Sequence, residues 1–143
     1  MMKPEFEIKS VPLEVVLPIR QEVMYPGQAA ELAQVAGDED ALHWGLFANH
    51  RLVSVISLFN SKKYGRSLQF RKFATLADYQ GKGYGSRLLQ EVLDYGISQG
   101  YAVIWCNARV SALGFYNRFG FCQDGEAWQK NGIDYIIIKK ALR

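Results

Sequence analysis

Three alternate glycines, Gly81, Gly83 and Gly85, lie where a predicted strand is followed by the N-terminus of a predicted helix. The strand covers residues 67–75 (SLQFRKFAT), and the helix covers residues 84–99 (YGSRLLQEVLDYGISQ), which has an amphipathic pattern. Amide groups at the start of a helix have no partner within it, and the helix dipole adds partial positive charge there. Glycine lets successive amides point toward one ligand. The junction therefore predicts a binding site for phosphate or pyrophosphate.

Two common phosphate-binding motifs are excluded. The dinucleotide motif G-x-G-x-x-G is incomplete because Ser86 occupies its last glycine position. The next predicted strand ends in Trp105-Cys106-Asn107, where that motif needs an acidic residue. The P-loop string G-x-x-x-x-G-K-[ST] does not occur. What remains is Q-x-x-G-x-G from Gln80 to Gly85, and its alternative interpretation is a flexible surface turn.

A second pattern follows the glycine motif along the chain. Residues 101–107 (YAVIWCN) are apolar, β-branched or aromatic, which predicts a buried strand. Residues 111–119 (SALGFYNRF) predict a short helix that ends at Gly120. The two patterns occur in this order with one helix and one strand between them, and the pair is far more specific than either alone.

Together the two patterns resemble the GNAT superfamily of acyl-CoA N-acyltransferases. The closest likeness is to small bacterial enzymes of the glyphosate N-acetyltransferase group. Three segments carry it: residues 19–28 (IRQEVMYPGQ), 70–88 (FRKFATLADYQGKGYGSRL) and 105–121 (WCNARVSALGFYNRFGF). The resemblance implies the GNAT fold and an acetyl-CoA-dependent N-acetyltransferase.

The resemblance also implies which residues bind acetyl-CoA. The glycine loop would hold the pyrophosphate, and one strand would pair its backbone with the pantetheine arm and supply an oxyanion donor. Asn107 would form a hydrogen bond with the cofactor or with a neighbouring loop. Lys82 and Arg87 are equally consistent with solvated surface charges. The implied cofactor residues are Phe73, Ala74, Thr75, Gln80, Gly81, Lys82, Gly83, Tyr84, Gly85, Ser86 and Asn107.

Tyr116 lies where these enzymes keep a general acid, so it would protonate the leaving thiolate. A phenol with a pKa of about 10 and a thiol near 8.5 differ by only one or two units, which makes the transfer feasible in a dry site. The alternative is that Tyr116 is a packing aromatic beside Phe115 and Phe119.

The histidine base of the glyphosate N-acetyltransferase group is absent from this chain. The corresponding position is Asp134 or Tyr135, depending on where the gap is placed. An aspartate could accept a proton directly or through water, whereas a tyrosine is a poor base at neutral pH. His50 is expected at an exposed turn and His43 is expected to be structural, so neither is expected to replace the histidine base.

The resemblance implies an anionic acceptor. Arg71 and Arg109 match substrate-binding arginines, Arg20 would line or stabilise the same cleft, and Tyr25 replaces a third arginine. Guanidinium groups suit carboxylates and phosphonates. The alternatives are a buried salt bridge for Arg71 and a surface charge for Arg109. The implied substrate is a small amine with an anion, such as an amino acid or an aminophosphonate-like compound. Because Tyr25 replaces an arginine, this anion is expected to carry less charge or to be bound differently.

Composition fits this assignment. A length of 143 residues predicts one domain over residues 1–143, and 49% hydrophobic residues suffice for a core. A net charge of +3 does not suggest nucleic acid. We expect a cytoplasmic protein without a membrane span or secretory signal. Cys106 and Cys122 lack metal-ligand spacing, so no metal is expected, and Cys106 is expected in the core. Monomer and homodimer remain open.

The predicted elements define an α/β (α+β) fold with a mixed, mostly antiparallel sheet of about seven strands and about four helices. Besides the elements above, strands are predicted at residues 6–11, 43–48, 52–59, 121–128 and 133–140. Helices are predicted at residues 12–24 and 29–36, with polar loops at 37–40 and 61–66. Two alternative functions remain: a CoA-binding protein with weak or no transferase activity, and a protein or peptide N-acetyltransferase.

Overall fold

A computed structural model describes residues 5–143. Residues 1–4 lie outside the described part. They belong to the N-terminal segment in which no secretory signal is predicted. The described elements are β1 (Phe6–Val11), α1 (Leu13–Met24), β2 (Leu42–Ala48), β3 (Arg51–Ser61), β4 (Ser67–Thr75), α2 (Tyr84–Ser98), β5 (Val103–Arg109), α3 (Leu113–Asn117), β6 (Cys122–Lys130) and β7 (Ile133–Ala141). Within residues 5–143, no helix has the length and apolar character needed to cross a bilayer.

Backbone hydrogen bonds order the seven strands as β1-β2-β3-β4-β5-β7-β6. The pairs β1–β2, β2–β3, β5–β7 and β6–β7 are antiparallel. The pair β4–β5 is parallel, and its register joins only Ser67–Gln69 to Val103–Trp105. The predicted mixed, mostly antiparallel sheet is therefore confirmed.

The structure contains three α-helices in its described part, rather than the predicted four or so. Residues 29–36 form only a 3₁₀ turn, Ala30–Ala33, and a second 3₁₀ turn, Asp38–Asp40, lies in the predicted polar loop. The Asp38 carboxylate accepts a hydrogen bond of 2.7 Å from the Val35 amide. Such a side-chain bond competes with helical hydrogen bonds, so a continuous helix does not form here.

The described chain divides into two compact units. The first unit comprises residues 5–59 and 71–94. Its core contains Val16 of α1, Val55 of β3 and Ala74 of β4. The strands β2 and β3 are joined by Asn49 and His50, which have φ values of 49° and 70°. Two consecutive left-handed residues match the right-handed twist of a hairpin, and His50 lies at an exposed turn as expected.

The second unit comprises residues 60–70 and 95–143. The strand β5 alternates its side chains, so that Ile104, Cys106 and Ala108 are buried while Asn107 and Arg109 are exposed. The burial of Cys106 confirms the predicted core role of this cysteine. Burial also raises the pKa of its thiol, so Cys106 stays protonated and is not a nucleophile.

Candidate active site

The glycine loop of the first unit presents unpaired backbone amides. Within residues 5–143, none of the amides of residues 81–86 donates a hydrogen bond, and α2 begins at Tyr84. Gly81 and Gly83 have φ values of 75° and 86°, and no atom lies within 4 Å of a Cβ built at either position. The left-handed backbone favours glycine, and the space beside it is open. This donor set fits a pyrophosphate group.

The end of β4 is tied to the glycine loop. The Gln80 side-chain amide donates a hydrogen bond of 2.9 Å to the Thr75 carbonyl oxygen. The hydroxyls of Ser54 and Thr75 are 2.8 Å apart. A Cβ at Gly85 would lie 3.5 Å from both the Phe73 ring and the Thr75 hydroxyl oxygen. The structure thus brings together Phe73, Thr75, Gln80 and Gly85 of the predicted cofactor set.

The two basic residues of the loop have similar surroundings. The Lys82 ammonium lies 5.6 Å from the Tyr79 ring centroid, and Lys82 is exposed without an ion pair in the described chain. The Arg87 guanidinium lies 4.6 Å from the Phe6 ring centroid. Both residues are exposed and neither forms an ion pair within residues 5–143, so both charges are available at the loop.

Lys72 was missed by the sequence reasoning. It lies in β4 with a φ of 54°, which is unusual for a residue other than glycine. Its half-buried ammonium donates a hydrogen bond to the Tyr25 hydroxyl and forms no ion pair among residues 5–143. The position where the resemblance leads one to expect an arginine therefore has a cation beside it, supplied by another element. No sequence pattern reveals the left-handed conformation.

Arg71 precedes Lys72 and is exposed. It has no ion pair or hydrogen bond within the described chain, so the alternative of a buried salt bridge is wrong. The left-handed Lys72 interrupts the alternation of β4, which is why inspection of the pattern suggested a buried charge. Substrate binding by Arg71 stays a prediction.

Arg20 does not present its guanidinium to a ligand. The side chain is completely buried, and it donates hydrogen bonds of 2.8–2.9 Å to the Asp38 carboxylate, the Ala33 carbonyl oxygen and the Ser57 hydroxyl. Only Nε lacks a partner, and it is also sealed from solvent. The substrate-binding assignment of Arg20 is corrected, and the stabilising alternative fits its contacts.

His43 belongs to the same buried network. Its Nε2 lies 2.8 Å from the Asp38 carbonyl oxygen, which can only accept, so Nε2 carries the hydrogen. Its Nδ1 lies 2.7 Å from the Ser57 hydroxyl, which already accepts a bond from Arg20. The simplest complete pairing has Ser57 donating to Nδ1 of a neutral imidazole. Both ring nitrogens are used, in agreement with the structural interpretation of His43.

Tyr116 lies in an aromatic cluster of the second unit. Its ring centroid is 5.1 Å from that of Phe115, 5.7 Å from Phe121 and 5.8 Å from Phe70. Burial, with a smaller effect of the Cys106 thiol, raises the pKa of Tyr116 above its usual value of 10. Its hydroxyl forms no hydrogen bond within residues 5–143. Tyr116 therefore keeps its proton at neutral pH, and its raised pKa widens the mismatch with the leaving thiol.

The remaining predicted residues of this unit lie on β5 and β7. Asn107 and Arg109 are exposed, and Arg109 is the register partner of Tyr135. Asp134 accepts a hydrogen bond of 3.3 Å from the Gln129 side-chain amide. Since neighbouring residues of a strand point to opposite faces, Asp134 and Tyr135 do not share a face, and only Tyr135 shares one with Arg109.

The family follows from a match over most of the chain. A family model described as an acetyltransferase (GNAT) domain matches residues 18–142. The chain belongs to the GNAT acetyltransferase family. The matched residues include both units and every predicted site residue, and GNAT enzymes use acetyl-CoA as the acetyl donor. This protein is accordingly an acetyl-CoA-dependent N-acetyltransferase.

Similar proteins agree with the GNAT assignment. An uncharacterized N-acetyltransferase, YitI of Bacillus subtilis (strain 168), is 28% identical over 96% of this chain and 97% of its own. The structure of a candidate N-acetyltransferase from Lactobacillus plantarum covers 96% of this chain and 99% of its own at 18% identity, with a TM-score of 0.85. The ribosomal-protein-S18-alanine N-acetyltransferase of Escherichia coli covers 96% and 94% at 20% identity, with a TM-score of 0.77. These two structures establish the GNAT fold.

Proposed function

We propose that this GNAT enzyme transfers the acetyl group of acetyl-CoA to the amine of a small anionic substrate by direct attack. This specifies an acceptor of the kind expected from the likeness to the glyphosate N-acetyltransferase group. The observation that carries the proposal is the contrast between paired and unpaired cations. Arg20 is neutralised by Asp38, whereas Arg71, Lys72 and Arg109 have no ion pair within residues 5–143. Unpaired cations favour a ligand with a negative charge.

The residues that would hold acetyl-CoA are the amides of residues 81–86, with Gln80 securing the loop to Thr75. Lys82 would add a positive charge, the backbone of Phe73, Ala74 and Thr75 would face the pantetheine arm, and Asn107 is exposed for a further hydrogen bond. When bound, acetyl-CoA supplies an acetyl group as a reactive thioester. Removing one oxyanion donor typically lowers the rate about 100- to 1,000-fold.

Tyr116 would hold the proton that the leaving sulfur needs. Its raised pKa keeps the hydroxyl protonated throughout the neutral range, which supports a role as acid rather than base. The aromatic cluster around the ring restricts its orientation. The same burial makes the phenol a weaker acid, so proton transfer must be assisted by a close approach to the developing thiolate.

The amine must lose a proton before or during attack, and two residues are candidates for accepting it. Tyr135 shares its strand face with Arg109, whereas Asp134 lies on the opposite face with its carboxylate bonded to Gln129. A carboxylate is the better acceptor at neutral pH, directly or through water. Because the two side chains point in opposite directions, at most one of them serves the acceptor amine.

The test is release of free thiol from acetyl-CoA in the presence of amino acids, aminophosphonates and polyamines, with the acetylated product identified by mass. Transfer to one or more anionic amines is the expected result. Transfer to polyamines alone would contradict the anionic acceptor. Binding of acetyl-CoA without release by any amine would favour the alternative of a CoA-binding protein.

A further inference from the structure

Three side chains form a row across the strands of the second unit. Arg109 of β5 is the register partner of Tyr135 of β7, and Tyr135 is the register partner of Trp128 of β6. Directly opposed residues of antiparallel strands project from the same face, with their Cβ atoms about 4.5–5.5 Å apart. The guanidinium, the phenol and the indole therefore stand side by side on one face of this unit.

The two rings of this row make a flat apolar surface. The centroids of Trp128 and Tyr135 are 6.0 Å apart and their planes differ by 22°, so the rings are nearly parallel. Trp128 is 38% exposed, although tryptophan is usually well covered in folded proteins. We call this pair of rings the aromatic ledge. It offers a stacking surface to a planar group of a ligand.

The polar groups of the row are free to bind. Arg109 is exposed and forms no ion pair or hydrogen bond within residues 5–143. The Tyr135 hydroxyl and the Trp128 indole nitrogen likewise have no hydrogen-bond partner among the described residues. A guanidinium accepts a carboxylate through two parallel hydrogen bonds. The row thus combines an anion-binding group with a surface for a flat apolar group.

A change of register in β6 places the tryptophan in this row. Asp124 pairs with Ile137, and the pairing then shifts before Trp128 pairs with Tyr135. If the first register continued, Glu126 would be the partner of Tyr135, and a carboxylate would stand in this row. The shift of register places the Trp128 ring in the row instead of the Glu126 carboxylate. Bulges of this kind commonly redirect a side chain beside a functional site.

We propose that Arg109, Tyr135 and Trp128 form an acceptor subsite for an amino acid with an aromatic side chain. Arg109 binds the carboxylate, and the aromatic ledge stacks on the ring of the substrate. The inference rests on the proposed function, since it specifies the anionic amine of that reaction. It adds Trp128 as a specificity-determining residue that neither the motifs nor the resemblance indicated.

Four acceptors separate the two contacts: L-phenylalanine has a ring and a carboxylate, L-alanine only a carboxylate, phenethylamine only a ring, and ethylamine neither. Trp128→Ala should lower kcat/KM for L-phenylalanine about 10-fold and leave L-alanine within about twofold. Arg109→Ala should lower kcat/KM for L-phenylalanine and L-alanine by similar factors and leave kcat/KM for phenethylamine unchanged. Trp128→Phe keeps an aromatic ring and should therefore retain most of the preference for L-phenylalanine over L-alanine. Phe6→Ala, which truncates another exposed aromatic residue (40% exposed), should change none of these ratios.

A binding measurement separates failure of the subsite from failure of the proposed function. Saturation-transfer NMR would report contact between the protein and the ring protons of L-phenylalanine without any turnover. Binding that is lost in Trp128→Ala, even without thiol release by any amine, would support the subsite while the proposed function fails. If Trp128→Ala changed kcat/KM for phenylalanine and for alanine equally, the subsite would be overturned. The proposed acetyl transfer would still hold. Conversion of a dimer into a monomer by Trp128→Ala in sedimentation would also overturn it, because a second copy would then cover the ledge.

Discussion

The Lys72 ammonium donates a hydrogen bond to the Tyr25 hydroxyl, from a backbone position with left-handed φ inside a strand. A left-handed residue other than glycine costs on the order of 1–3 kcal/mol and persists where its surroundings demand it. The bond fixes a half-buried cation that no carboxylate of residues 5–143 neutralises. We therefore expect this pair to contribute to binding of the acceptor anion.

Replacing Lys72 with Met should raise KM for an anionic acceptor about 10- to 100-fold, because a hydrogen bond to a charged group contributes about 1.5–3 kcal/mol. Lys72→Arg should retain much of the binding, and Tyr25→Phe should have a smaller effect than Lys72→Met. Steady-state kinetics with glycine and with methylamine would measure this. An equal rise in KM for both amines would rule out recognition of the carboxylate.

Gly83→Asp should weaken acetyl-CoA binding at least about 10-fold, because it adds a negative charge beside unpaired amides and a side chain where the backbone is left-handed. Gly65→Asp is the matched control, since Gly65 has a φ of 81° and equally open surroundings. Isothermal titration with acetyl-CoA and thermal unfolding of both variants would separate binding from folding. Similar affinities in the two variants would place the pyrophosphate elsewhere.

Tyr116→Phe should lower kcat about 100-fold or more and leave acetyl-CoA affinity unchanged, because only the proton donor is removed. The pKa of Tyr116 is raised above 10, so its deprotonation should not reduce kcat of the parent enzyme below pH 10. Tyr79→Phe serves as the control. A Tyr116→Phe rate within twofold of the parent at every pH would leave Tyr116 as a packing residue alone.

Asp38→Asn should lower the free energy of unfolding by about 3–5 kcal/mol, because it leaves the buried Arg20 guanidinium without its counter-charge. Burial alone would raise the pKa of Asp38, but hydrogen bonds from Arg20 and the Val35 amide and the charge of Arg20 lower it overall. The contribution of this carboxylate is therefore complete above its ordinary pKa of 3.8 and is lost as the pH falls through the lowered value.

Urea unfolding of parent and Asp38→Asn from pH 7 down to pH 2 would test this pH dependence. The stability difference between the two proteins should shrink at the acid end. Glu7→Gln removes a carboxylate from an exposed pair with Lys9 and should have little effect on stability. A stability difference that stays constant down to pH 2 would show that the pKa of Asp38 is the same in the folded and unfolded protein, which contradicts its lowering by Arg20.

The glycine loop could be predicted from sequence because its properties are local. Alternate glycines before an amphipathic helix determine the left-handed φ values and the unpaired amides without reference to the rest of the chain. The same holds for the turn at Asn49 and His50. Most strands of the sheet were also predictable, since they are apolar or alternating runs bounded by turn residues, whereas β6 (CQDGEAWQK) is largely polar.

Several site features could not be predicted because they depend on distant pairings. Asp38 seemed to be part of a polar loop, yet it is 3% exposed and binds Arg20 of α1. The contact of Lys72 with Tyr25 depends on a left-handed strand residue, and the position of Trp128 depends on a shift of register in β6. Neither irregularity leaves a periodic signal in the sequence.

The most direct test is a competition between two acceptors in one reaction with acetyl-CoA. Glycine and methylamine are supplied at equal concentrations and at one fixed pH, and the unprotonated fraction of each amine at that pH is determined. The two acetylated products are measured by mass spectrometry. The product ratio, corrected for free amine, gives the ratio of kcat/KM values. We predict at least a tenfold preference for the amino acid. A ratio of one or less would contradict recognition of an anionic acceptor.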